Sequence, residues 1–248
     1  QLYSGDSRNP FTSQGYIPKI TFREDKYNLN YYIACYDAAI LYTDFYIGKL
    51  LENIKDNTLI ILTADHGEFL GGRNRYFTHG GNIYDEVLHI PLIIKDNQYF
   101  KGGKKISTIA SSVDIVPTIL SRINPLWYFF NKNRFDGIDL KTTVKSKEIK
   151  RSYIYSYFPQ AWSIRDVKRN IKYILNQDGK EELYLLPDEY TNHINDDSLE
   201  VDYIKKGLRK DLRNWRKKGY PIRADINAKK ISLDKQAREL LKSLGYLQ

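Results

Sequence analysis

The sequence predicts an α/β fold followed by a smaller antiparallel subdomain, and three observations carry that reading. A long helical stripe between residues 27 and 53 precedes two short continuous apolar runs, residues 58–64 and 89–95. Runs apolar on both faces suit strands of a mixed sheet sandwiched by helices. A glycine-rich loop separates the runs, with Gly71, Gly72, Gly80 and Gly81 inside it and Gly67 just before it. Beyond Asp136-Gly137 the texture changes to short, tyrosine-rich segments with polar turns, which suit a small antiparallel sheet. The expected division is residues 1–148 for the α/β part and residues 149–248 for the subdomain.

Taken in order, residues 1–25 are polar, with Gly5, Pro10, Gly15 and Pro18, and read as an extended loop. The helix that follows carries Ile33, Tyr36, Ile40, Thr43, Ile47, Leu50 and Ile54 at alternating steps of three and four, which predicts one face against a core. The run Thr58–Ala64 reads as a strand ending in Asp65-His66-Gly67. His89–Lys95 reads as a second strand, with Pro91 tolerable near its start. Residues 111–122 read as a helix capped by Asp114, with Pro117 in its first turn. In the subdomain, residues 152–158, 171–176 and 182–186 are expected strands. A basic helix with the stripe Ile204, Leu208, Leu212, Trp215 and a short helix over about residues 234–244 complete it.

Charge and cysteine content exclude several classes. The 248 residues hold 39 Lys+Arg and 30 Asp+Glu, a net charge of +9. Between Tyr203 and Arg223 lie nine basic residues and one acid, Asp211, or +8; the remaining 30 basic and 29 acidic residues sum to +1. The excess is one helix, so the chain does not read as a nucleic-acid binder. That helix is read as a solvated face, with attraction to a membrane surface or a polyanionic substrate as the alternative. A single cysteine, Cys35, rules out a disulfide framework, and no apolar run approaches the ~18 residues of a membrane span. A start at Gln1 leads to the expectation that the sequence is a piece of something longer.

The most informative feature is Asp65-His66 at the carboxyl end of an apolar strand, where open α/β sheets build ligand sites. A carboxylate beside an imidazole offers oxygen and nitrogen ligands to a divalent cation, and Gly67 permits a sharp exit. The bland alternative is a capped turn. His89, ahead of its strand, reads as structural, and His193 lies in a polar loop without a partner at ligand spacing.

The wider pattern closely resembles the sulfatase family of the alkaline-phosphatase superfamily. The residues that carry it are Thr63-Ala64-Asp65-His66-Gly67-Glu68, Thr78-His79-Gly80, and the run from Ile83-Tyr84-Asp85-Glu86 to Ile90-Pro91-Leu92-Ile93-Ile94. Tyr36-Asp37 to Ile47-Gly48 upstream, then Val113-Asp114 to Leu120, Asp136 to Leu140, Lys172-Tyr173-Ile174, Glu182 to Leu186 and Leu241 to Leu247 follow in the family's order. The resemblance implies half of an alkaline-phosphatase-like mixed sheet. It also implies a metal site with Asp65 and His66 as two ligands, calcium as the usual ion and manganese or magnesium as alternatives. His79 falls where relatives place a group near the sulfate and its leaving oxygen. The implied substrate is a sulfated, or alternatively phosphorylated, small molecule or glycan.

Two departures matter. Relatives continue Asp-His-Gly-Glu with Leu-Gly-Glu-His-Gly, whereas this chain has Leu70-Gly71-Gly72-Arg73-Asn74. Arg73 or Arg75 could contact an anion; the alternative is an exposed loop arginine. The family nucleophile, a Cys or Ser in a Cys/Ser-x-Pro-x-Arg string, is also missing: Cys35 has neither Pro nor Arg beside it, and Gly219-Tyr220-Pro221-Ile222-Arg223 has glycine at the nucleophile position. Cys35 is expected to be a small buried hydrophobe. The reading is therefore a fragment of a sulfuric ester hydrolase, inactive alone. The alternatives are a phosphodiester or phosphonate ester hydrolase, a phosphoethanolamine transferase of the same superfamily, and a non-catalytic fragment or partner subunit.

Overall fold

The computed structural model describes residues 29–100, 103–146, 151–187, 189, 192–196 and 198–218. The expected boundary at 148/149, the N-terminal loop, the string 219–223 and the helix near 234–244 lie outside the described residues. By its internal contacts the chain forms two compact units, residues 1–209 and 210–248.

The first unit begins with α1 (Leu29–Glu52), followed by β1 (Ile60–Thr63), α2 (Asp85–Leu88) and β2 (Leu92–Lys95). Strands β1 and β2 pair antiparallel, with Ile61 opposite Ile94, and their residues are half-buried or exposed. The α/β class is as expected, but among the described residues β1 pairs with β2 alone rather than lying centrally in a larger sheet. Arg122 fastens the pair, since it donates to Asp96 Oδ2 at 2.7 Å and to Asn57 Oδ1 at 3.0 Å. On α1, Tyr32 is buried against Phe77, with ring centroids 5.6 Å apart. Of the predicted stripe, Ile33, Ile47 and Ile54 are half-buried, whereas Tyr36, Ile40 and Leu50 are exposed, as are Leu41 and Phe45 beside it. Cys35 is exposed too, contrary to expectation.

Next come α3 (Ile115–Ile123), α4 (Pro125–Asn131) and α5 (Leu140–Ser146). The sequence reading contained only the first of these. Asn124 starts α4 by accepting from the Trp127 N–H at 3.1 Å, with Pro125 at the first helical position. Asp114 does more than cap. Fully buried, it accepts from the backbone N–H of Ser111 and of Ile138, each at 2.8 Å, and from Arg151. It thus ties the start of α3 to the 136–140 turn.

The C-terminal sheet runs β3 (Tyr153–Phe158), β4 (Ala161–Asp166), β5 (Ile171–Asn176), β6 (Glu181–Leu185), each antiparallel to the next. The sequence reading missed β4, because Ser163, Arg165 and Asp166 break any alternation; the strand is nonetheless largely buried. Ile83 packs into this sheet with Ala161, Ile174 and Tyr184. Helix α6 (Leu199–Lys217) buries Leu208 and Leu212 as its stripe predicts. Arg209 grips Glu181 through two bonds of 2.6 Å. Only residues 210–218 of the second unit are described, the last turns of α6 among them.

One buried ammonium joins α2 to the sheet. Lys172 on β5 is 2% exposed and reaches the Ile83 carbonyl and Asp85 Oδ1, each at 2.7 Å, and Glu189 Oε1 at 3.0 Å. Two of these contacts are hydrogen bonds, and the third is an ion pair by distance, so the buried charge is neutralised by two carboxylates. Lys172→Met should lower the unfolding free energy by about 3–5 kcal/mol, measured by chemical denaturation, because it strands Glu189 without its cation.

Candidate functional site

Asp65 and His66 stand just beyond the carboxyl end of β1, and Gly67 turns the chain toward α2. The Gly67 N–H donates to the Val87 carbonyl at 2.9 Å. A Cβ at Gly67 would stand 2.2 Å from the Glu86 carbonyl oxygen, so only glycine allows this approach.

The two side chains stand close together. His66 Nδ1 lies 2.8 Å from the Gly67 carbonyl oxygen, which can only accept; Nδ1 therefore carries the hydrogen and Nε2 offers its lone pair. Nε2 is 3.6 Å from Asp65 Oδ2, and both side chains reach solvent. Two donors that each sit about 2.0–2.6 Å from one cation stand at this kind of separation. The residues therefore fit a shared divalent ion. Among the described residues no further His, Cys, Asp or Glu joins them in a ligand cluster.

A short hairpin returns His79 to this place. The Phe69 N–H donates to the Thr78 carbonyl at 3.0 Å, the Phe77 N–H donates to the Phe69 carbonyl at 2.7 Å, and Leu70 bridges Tyr76. The His79 ring then stacks on His66, centroids 3.8 Å apart and planes 21° apart. Glu68 accepts from His79 Nδ1 at 3.3 Å through Oε2, while its buried Oε1 has no hydrogen-bond partner among the described residues. Sequence reasoning passed over Glu68 as part of a motif.

The hairpin tip differs from expectation. Arg73, held at φ 56°, is no exposed loop arginine; its side chain is 16% exposed. Its guanidinium lies 3.9 Å over the Tyr84 ring, donates to the Glu189 carbonyl at 2.9 Å and pairs with Glu86 at 3.3 Å. Behind it, Glu182 accepts from Tyr84 at 2.9 Å, from Asn176 at 2.7 Å and from Tyr184. Burial works against the Glu182 carboxylate, but these hydrogen bonds outweigh it and hold the carboxyl below its ordinary range. Burial, and then the charge of Glu182, push the Tyr84 phenol up to about 12. His193, read as a loop residue without a role, bridges Tyr184 in the backbone and meets its ring edge-on at 4.9 Å. His89 is exposed, its N–H closing α2 onto the Asp85 carbonyl.

The described elements form an α/β scaffold with the Asp65-His66 pair just beyond the carboxyl end of β1. This fold is similar to that of the phosphonate monoester hydrolase of Agrobacterium radiobacter, at a TM-score of 0.51 and 23% identity over 70% of this chain and 38% of that one. Residues 6–124, just under half of the chain, match the sulfatase family model. The arylsulfatase of Clostridium perfringens (strain 13 / Type A) is 28% identical over 76% of this chain and 44% of its own length. The N-acetylglucosamine-6-O-sulfatase of Bacteroides thetaiotaomicron is 30% identical over 48% of this chain and 20% of its own. The chain thus spans less than half the length of these curated relatives.

Two measurements test this geometry. Gly67→Ala should cost about 1–3 kcal/mol, read as a lowered melting temperature, because the turn or α2 must shift. Glu182, whose pKa is lowered on folding, contributes stability that is present above about pH 4.3 and lost as pH falls through the lowered value. Glu182→Gln should therefore show a flatter loss of stability than wild type between about pH 5 and 3.

Proposed function

We propose that this chain supplies the metal-holding and leaving-group side of a sulfuric ester hydrolase acting on sulfated small molecules or glycans. The observation that carries the reading is the stack of His79 on His66, which unites two separate stretches of the family pattern at one strand end. The relatives, an arylsulfatase, an N-acetylglucosamine-6-O-sulfatase and an ulvan-active sulfatase, favour sulfate over phosphate as the ester.

Asp65 and His66 would hold the divalent cation, calcium by family precedent or else manganese or magnesium. When bound, the ion supplies positive charge to the sulfate oxygens. The Gly67 carbonyl keeps the hydrogen of His66 on Nδ1, so that Nε2 stays a ligand. Glu68 accepts from Nδ1–H of His79, so that in the imidazolium form Nε2–H is left to donate to the leaving oxygen, or to pass its proton there, as negative charge grows. The nucleophile is contributed from outside these 248 residues, so the chain alone does not turn over substrate.

Manganese titration of the isotope-labelled chain, followed by NMR, tests the assignment without needing turnover. Paramagnetic broadening should reach His66, Gly67 and His79 first, and Asp65→Ala should weaken binding there by at least roughly 10–100-fold. First broadening at another site, unchanged in Asp65→Ala, would sink the metal assignment.

A further inference from the structure

A second polar concavity lies at the other end of the hairpin that carries His79. It has a volume of about 330 Å³ and is lined by Arg73, Arg75, Tyr84, Lys180, Glu182, Tyr184 and His193. That volume is at the small end of the range for ligand sites. Its lining holds three cations against one carboxylate, and the cations differ in what already occupies them. Arg73 is engaged with Glu86, Tyr184 and the Glu189 carbonyl. Glu182 is saturated by two phenols and an amide. Arg75 lies 5.6 Å over the Phe69 ring, and among the described residues no carboxylate pairs with it. Lys180 is 69% exposed and only 4.0 Å from Glu182, at the limit of an ion pair. Two cations thus retain capacity for an oxyanion, beside the ring edges of Tyr184 and His193.

The hairpin limits the distance to the first site. His79 is four positions along the chain from Arg75, which at about 3.4 Å per residue places their backbones no more than about 14 Å apart. A short oligosaccharide spans such a gap. In a glycan whose repeating unit carries a sulfate ester, the neighbouring ring presents a second one.

We infer that the pocket of Arg75, Lys180 and His193 is a second sulfate-binding subsite, which selects a saccharide carrying one sulfate at His79 and another on an adjacent ring. Arg75 supplies a planar, two-pronged donor and Lys180 a mobile point charge. Arg73 acts as a positioning residue: it fixes the hairpin tip by its contacts with Tyr84, Tyr184 and Glu189 and so sets where Arg75 stands. The inference rests on the sulfatase reading of the His66–His79 site but uses different residues.

Calorimetric titration of the chain, manganese-loaded and at about 50 mM salt, with two probes decides the matter. One probe is a disaccharide with a sulfate on each ring; the other is the same disaccharide with one sulfate. Wild type should bind the disulfated probe about tenfold more tightly. Arg75→Gln/Lys180→Gln should erase that preference while leaving affinity for the monosulfated probe within about twofold. Lys210→Gln/Lys217→Gln, which removes the same charge from exposed positions of α6, should keep it. Equal affinity of wild type for the two probes, or equal loss in both double variants, overturns the inference. Manganese broadening at His66 and His79, recorded on the same samples, separates the two readings: broadening intact with no sulfate preference condemns the subsite alone, and broadening absent from wild type condemns the first site.

Discussion

The ammonium of Lys172 is the constraint on which the placement of the other parts depends. A charge held at 2% exposure is tolerable only when it is neutralised by partners nearby. Asp85 and the Ile83 carbonyl accept hydrogen bonds from it, and Glu189 adds a second negative charge at 3.0 Å. The loop before α2 is thereby pinned to β5, Ile83 enters the sheet's apolar cluster, and α2 stands where Gly67 can lie against it. Arg165 adds a second cation 3.6 Å from Asp85, so two carboxylates face two cations.

From this anchor the site is built outward by hydrogen bonds of decreasing burial. The Gly67 turn aims Asp65 and His66, the Phe69 hairpin returns His79, and Arg73 fastens the hairpin tip to Tyr84, Tyr184 and Glu189. The exposed end of this chain of contacts carries the groups suited to chemistry, and the buried end carries groups that are saturated. That gradient is what a preorganised site requires: side chains that touch a ligand keep their valence, while those behind them spend it on each other.

Arg73 and Asp114 show the same economy in different ways. Each reads in the sequence as a minor residue, a loop cation and a helix cap. Each proves to be a junction, because a left-handed backbone at Arg73 and complete burial at Asp114 direct their polar groups to partners far along the chain. The hairpin therefore owes its position to the C-terminal sheet, residues that a reading of the α/β segment alone would not connect with the histidines.

By itself the sequence determined the α/β class, the strand that delivers Asp65-His66, the stripe of α6 and three of the four C-terminal strands. These features are local: apolar periodicity, a turn glycine or a run of β-branched residues acts through neighbours a few positions away. Tertiary structure alone decided the antiparallel pairing of β1 with β2, the polar strand β4, the contacts of Glu68 and His193, and the burial of Arg73. It also left most of the α1 stripe exposed, since periodicity marks a face without supplying what covers it. The reason is range. Lys172 finds Asp85 across 87 positions, and Arg73 finds Glu189 across 116. Pairings of that separation have no period to read, and only the folded chain brings the charges together.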